Sequence, residues 1–244
     1  MVRLLGLLLV LTWGSAQAGL AESIARIKPS IVAIATYQKL RSPALQIRGS
    51  GFVVADGQTV ATNLHVLPET LGADERLIVV VPGAPPRFLD AESAARDKMH
   101  DLALLRIQTP LPALRLGAPE SARDGQEIFF TGFPIGAALG LVPVTHRGII
   151  SAVTPMAIPG GNDKQINSAS IRQLRSGPLT VYQLDATAYP GNSGSALLDA
   201  ESGDVLGVIN MVYVKNSKES ALSQPTGISF AIPVRHLIDL LGKR

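Results

Sequence analysis

A succession of short β-branched and apolar runs, each closed by glycine, proline or an aspartate-glycine pair, constrains the fold of this chain more than any other feature. Residues 31–37 form the first. Residues 51–54 lead into Asp56-Gly57, a strong hairpin turn, and residues 59–62 return from it. Residues 77–81 close at Pro82-Gly83. Further runs cover 102–107, 126–131, 145–153, 179–184, 195–198, 205–214 and 227–232, with a second hairpin turn at Ser202-Gly203. Many short strands with this punctuation predict an all-β barrel or sandwich. Helix signals are confined to residues 21–27 and to 234–241, where apolar residues recur at helical spacing behind Pro233 and stop at Gly242. The strands divide coarsely into one set over about 21–110 and another over about 111–233, followed by the terminal helix at about 234–242. Residues 155–178 are polar and rich in glycine and serine, and read as a long surface loop, functional or an unconstrained insertion alike.

The first eighteen residues stand apart. Met1-Val2-Arg3 is a short positive start, residues 4–13 are apolar but too short to span a bilayer, and Ala16-Gln17-Ala18 is a small-x-small cleavage site. This predicts a signal peptide over 1–18 and a mature chain over 19–244; the competing reading is an uncleaved anchor. No later stretch is long and apolar enough to cross a membrane. The formal charge of +3 is small and dispersed, which argues against nucleic acid. The absence of cysteine excludes a thiol nucleophile and every cysteine-based metal site. His65, His100, His146 and His236 lie far apart along the chain, so no metal and no cofactor is expected.

Chemistry is concentrated in three places. Pro190-Gly191-Asn192-Ser193-Gly194 sets a serine between glycines just before the apolar Ala196-Leu197-Leu198. Thr62-Asn63-Leu64-His65-Val66 and Asp101-Leu102-Ala103-Leu104-Leu105 lie upstream. Serine needs a base within hydrogen-bond reach, and the base needs an orienting partner. His65 suits the first role and Asp101 the second, with Ser193 as nucleophile. Gly191 lacks a Cβ, so its peptide can turn an N–H inward, and the amides of Gly191 and Ser193 are the expected donors to an oxyanion. Asp97 rivals Asp101 but sits in the polar Arg96-Asp97-Lys98 stretch. Ser195 rivals Ser193 but has no glycine two residues before it.

The matching segments extend further: Gly49-Ser50-Gly51-Phe52-Val53-Val54, Gly132-Phe133-Pro134-Ile135-Gly136, Gly148-Ile149-Ile150-Ser151-Ala152, Asp185-Ala186 and Gly227-Ile228-Ser229-Phe230-Ala231-Ile232-Pro233. With these the chain resembles the trypsin-fold serine proteases, most of all the protease domain of the HtrA/Deg group. The resemblance implies two perpendicular six-stranded antiparallel β-barrels with the active site in the cleft between them, and endopeptidase activity through an acyl-enzyme. It implies that His65, Asp101 and Ser193 are the triad, that polypeptides, unfolded ones included, are the substrates, and that the protein works in the periplasm or outside the cell. It leaves a homotrimer open. PDZ domains are common after the protease domain in that group, and the chain is expected to lack one. Two residues depart from the pattern: Ser195 replaces a second glycine after the nucleophile, and Tyr189 replaces a small polar residue.

Thr187 and Ala188 are expected to line the primary specificity pocket, with Ser229-Phe230-Ala231 and Asn210-Met211 as its other walls and Tyr189 near the substrate wall. None is acidic, which predicts a preference for small or medium apolar side chains over Lys or Arg. Asn192 holds the position that is acidic in digestive trypsin-like enzymes. An amide cannot pair there with a freed amine, so no activation by cleavage is expected beyond removal of the leader. Two alternatives compete. An α/β-hydrolase could use Ser193, Asp204 and His236 in its own chain order. A catalytically inactive protease fold could serve as a binding protein.

Overall fold

The computed structural model describes residues 19–134, 140–156, 179–210 and 228–243. The predicted leader, the greater part of the 155–178 run, and Ile135, Gly136, Met211 and Gly227 lie outside the described residues. Helix α1 (Leu20–Ile27) opens the described chain. Strands β1 (Ile31–Gln38), β2 (Leu45–Val54), β3 (Thr59–Asn63), β4 (Glu75–Val81), β5 (Arg87–Asp97) and β6 (Leu102–Ile107) close into one barrel. Strands β7 (Glu127–Gly132), β8 (Val144–Met156), β9 (Leu179–Asp185), β10 (Ala196–Asp199), β11 (Val205–Asn210) and β12 (Ile228–Pro233) close into a second, and α2 (Val234–Leu241) follows. Every pairing within the two barrels is antiparallel. The expected double barrel with a terminal helix is therefore present.

The barrels explain why so many strands read as unbroken apolar runs. Side chains alternate between the two faces of a strand, and here both faces are buried. In β1, Ile31, Ala33 and Ala35 face the core shared between the barrels, while Val32 and Ile34 fill the interior of the first barrel. In β6, Leu102 and Leu104 take the shared side and Ala103, Leu105 and Ile107 the interior. The second barrel repeats the arrangement: Phe129 points to the shared core, and Ile128 and Phe130 to the interior. The shared core unites Phe52 of the first barrel with Phe129, Ala196 and Val208 of the second, and with Leu237 and Leu240 of α2. It fixes how the barrels sit against each other, and so the cleft in which the two halves of a site can meet. Truncating a fully buried phenylalanine such as Phe129 removes about 3–5 kcal/mol.

Three elements differ from the expectation. Strand β5 is absent from the apolar runs because it is a polar strand: of its eleven residues only Ala91 is buried. It is held by backbone pairing to β4 and β6 rather than by an apolar face. Strand β2 begins at Leu45, six residues earlier than its apolar run, in an alternating stretch that is half-exposed. Strand β8 continues through Pro155 to Met156, past the start of the expected loop.

Candidate active site

Asp101 follows the short turn between β5 and β6 and has φ +53°, a left-handed backbone that aspartate tolerates better than most residues. Its carbonyl accepts the Leu64 N–H at 3.0 Å and the Asn63 side-chain amide at 3.1 Å. That pins it beside the 3-10 turn Leu64–Val66, which carries His65. The carboxylate then collects three donors. His65 N–H reaches Oδ1 at 2.8 Å, His65 Nδ1 lies 2.5 Å from Oδ2, and the Asn210 side-chain amide donates to Oδ2 at 2.7 Å. Because a carboxylate only accepts, Nδ1 carries the proton of the imidazole. The His65 and Asp101 side chains are 31% and 19% exposed, so solvent reaches the pair.

Ser193 is reached through two consecutive turns. In the first, Tyr189–Asn192, the Asn192 N–H donates to the Tyr189 carbonyl at 2.9 Å. Proline occupies its second position, and Gly191, with φ +101°, its third. Positive φ at the third position is the mark of a type II turn, which reverses the Pro190–Gly191 peptide relative to type I. In the second turn the Ser195 N–H donates to the Asn192 carbonyl at 3.0 Å. Gly194, with φ +87°, packs directly on the Ser50 carbonyl and the Thr62 hydroxyl, where a Cβ would collide. Glycine is therefore required there by both conformation and space.

The loop that carries Ser193 belongs to the second barrel but is tied to the first. The Ser193 carbonyl accepts the Ser50 N–H at 2.8 Å. Gly49, beside it, leaves room for that carbonyl and for the side chain of Val66, the residue after His65; both crowd the point where a Cβ on Gly49 would sit. The Ser193 segment and the His65 turn thus approach across one glycine. Ser193 is 6% exposed.

Some of the residues expected along a substrate wall are joined by hydrogen bonds. The Ser229 hydroxyl donates to the Ala186 carbonyl at 2.8 Å and accepts the Ala188 N–H at 3.1 Å, which joins β12 to the segment bearing Thr187 and Ala188. Ala188, Ser229 and Ala231 are buried, and Thr187, Tyr189 and Phe230 half-buried. Tyr189 lies against His146, ring centroids 5.7 Å apart, and His146 stacks on Phe130 at 5.0 Å. Burial holds His146 below its ordinary pKa.

Three of the rival residues, Asp97, Asp204 and His236, are engaged elsewhere. Asp97 partners His100, at 2.6 Å, rather than His65. Asp204 pairs with Arg115 at 2.6 Å, and His236 stacks on His100 with centroids 3.7 Å apart. The α/β-hydrolase alternative is overturned on both counts, since the fold is all-β and Asp204 and His236 have other partners. Among the described residues, the fully buried Ser195 hydroxyl has no hydrogen-bond partner. Asn210, expected as a pocket wall, donates its side-chain amide to the Asp101 carboxylate. Nothing local in the sequence marks that role, because the two residues are 109 positions apart. Among the described residues, no group of three histidine or carboxylate side chains is arranged to hold a metal ion, and no helix is long and apolar enough to cross a membrane.

Comparison with known proteins shows the family of the chain. The chain is 31% identical over 197 residues to a probable periplasmic serine endoprotease DegP-like of Halomonas elongata, an alignment covering 79% of this chain and 34% of that protein. It is 29% identical over 223 residues to serine protease HTRA1A of Danio rerio, covering 88% and 39%. The solved structure of an HtrA-type protease, AlgWS227A with tripeptide, superposes with a TM-score of 0.66 at 25% identity, over 93% of this chain and 63% of that one. The chain thus spans little more than a third of the length of these curated relatives. The trypsin-like peptidase domain matches residues 49–208, which run from the glycine under Ser193 through His65, Asp101 and Ser193 into β11. On the two barrels and this match, the chain belongs to the trypsin-like peptidase family.

Proposed function

We propose that the protein is an exported serine endopeptidase of the HtrA/Deg kind, with Ser193 as nucleophile, His65 as general base and acid, and Asp101 as the group that orients His65. The observation that carries this reading is the His65–Asp101 contact at 2.5 Å, completed by Asn210 across the barrels. With Nδ1 committed to Asp101, Nε2 is the nitrogen available to take the Ser193 proton. Ser193 Oγ attacks the scissile carbonyl, and its proton passes to His65. The developing oxyanion is received by the amides of Gly191 and Ser193, the first of them oriented by the type II turn. His65 then returns the proton to the departing amine, and water hydrolyses the acyl-enzyme by the reverse sequence.

The leader-like first eighteen residues, and the printed description of the Halomonas relative as periplasmic, support an exported location. Polypeptides are the proposed substrates. The walls at Thr187, Ala188, Ser229, Phe230 and Ala231 carry no acid, which favours small or medium apolar side chains at the cleaved position. Cleavage-site profiling of an unfolded protein by the purified mature chain, with Ser193→Ala as control, tests both points. Cuts after residues such as valine and alanine, absent in the control, are expected. Cuts mainly after Lys or Arg would reject the pocket assignment, and equal cutting by the control would reject the nucleophile.

A further inference from the structure

Ser50 lies on β2 of the first barrel and is fully buried, at 0% exposure. All its polar groups are engaged, and each leads toward the proposed site. Its N–H donates to the Ser193 carbonyl at 2.8 Å. Its hydroxyl is 2.7 Å from the Gly191 carbonyl and 2.9 Å from the Phe133 nitrogen. Its carbonyl accepts the Thr62 hydroxyl at 2.7 Å, three residues before His65.

The directions of these bonds are fixed. A carbonyl can only accept and an amide N–H only donate, and a hydroxyl has one proton. Ser50 Oγ therefore donates to Gly191 and accepts from Phe133. The Gly191–Asn192 peptide is gripped at both ends: its C=O by Ser50, and its N–H by the Tyr189 carbonyl at 2.9 Å. One buried residue of the His65 barrel thus holds the two carbonyls that bracket the nucleophile, at Gly191 and Ser193. Ser50 itself is fully buried, and a buried polar group is costly to leave unpaired, which favours one geometry.

We propose that Ser50 is a positioning residue that registers the Ser193 hydroxyl and the Gly191 amide against the His65 barrel. It acts on the transition state and not on substrate binding. The role rests on the reading of Ser193 as nucleophile. Small displacements of an oxyanion donor matter because its stabilisation depends on distance from an atom that exists only during reaction.

The test compares wild type with Ser50→Ala, which removes the hydroxyl and leaves the backbone bonds in place. Rates are referred to the fraction of sites that a fluorophosphonate labels at long times, so partly folded material does not count. The expected result is kcat lower by 10–100-fold with KM within twofold. The affinity for a valine-terminated peptidyl boronate, whose adduct places an oxygen in the oxyanion position, should fall by a similar factor. The affinity for the matching peptide carboxylate, and the acid limb of the rate profile, should not move. Ser50→Cys, a weaker donor of similar size, carries the same comparison if the alanine variant does not fold, with a kcat loss of at least threefold expected. A wild-type kcat in whichever variant folds, or a loss confined to KM, overturns the positioning role alone. A wild-type chain that neither labels at Ser193 nor turns over substrate overturns the peptidase reading, and this role with it.

Discussion

The side-chain amide of Asn210, at the end of β11 in the second barrel, donates to Oδ2 of Asp101 in the first over 2.7 Å. The same oxygen lies 2.5 Å from His65 Nδ1. One carboxylate oxygen is thus shared by the two barrels, and the orientation of the imidazole depends on how they dock. Among the described residues, removing the amide leaves Asp101 with partners from the first barrel only. A hydrogen bond to a charged group is worth about 1.5–3 kcal/mol. Asn210→Ala is therefore expected to lower kcat/KM by roughly 10–100-fold, since about 1.4 kcal/mol corresponds to a factor of ten. Steady-state kinetics on a peptide substrate checks this, and an unchanged kcat/KM would remove Asn210 from the positioning of Asp101.

Asp101 itself receives three donors, two of them from His65. An amide in its place presents an N–H to Nδ1 and selects the wrong tautomer. Asp101→Asn is expected to cost on the order of 10⁴ in turnover while the barrels stay folded. Turnover measured beside circular dichroism separates the two effects; near-normal turnover would reject Asp101 as the orienting acid.

Acid should loosen the fold at a stacked pair of imidazoles. His236 on α2 stacks on His100, which Asp97 holds at 2.6 Å. Burial, aided by the charges of His100 and Arg235 and opposed by Asp239 and Asp97, pushes His236 from 6.5 to about 4. At neutral pH both folded and unfolded forms are uncharged, and the shift contributes nothing. Between pH 6.5 and about 4 the unfolded chain binds a proton that folded His236 does not, so stability falls with falling pH. The loss approaches about 2–3 kcal/mol by pH 4.5. The carboxylates of Asp97 and Asp199, held below their ordinary value of 3.8 by hydrogen bonds, lose their contribution only at lower pH. Urea unfolding at pH 7 and 4.5 should show the drop in wild type and a smaller one in His236→Gln. Equal drops would assign it elsewhere.

Ser195 and Gly194 make opposite predictions from adjacent positions. The Ser195 hydroxyl is buried without a partner among the described residues, so Ser195→Ala should leave activity intact and raise stability by about 1 kcal/mol. Gly194→Ala places a Cβ on the Ser50 carbonyl at φ +87° and should cost at least about 2 kcal/mol. Thermal unfolding of the two variants orders them: Ser195→Ala above wild type and Gly194→Ala well below it. The reverse order would contradict the packing described.

Strands such as β1 and β6 were legible because both their faces are buried, and unbroken apolar runs result. Strand β5 was not, because it closes the first barrel through backbone hydrogen bonds and shows water a polar surface. The types and order of His65, Asp101 and Ser193 were visible in the chain, since glycines and short apolar strands surround them. What Asn210 and Ser50 bind was not visible. Each meets its partner across the barrels, 109 positions away for Asn210 and 141 for the Ser50 hydroxyl, and neither carries a local pattern that shows it.

The central claim is that His65 activates Ser193. Mass spectrometry of the mature protein after treatment with a fluorophosphonate tests it directly. Rapid labelling at Ser193 alone is predicted, slowed by several orders of magnitude in His65→Ala. A label on another serine, or labelling of Ser193 at the same rate without His65, would contradict it.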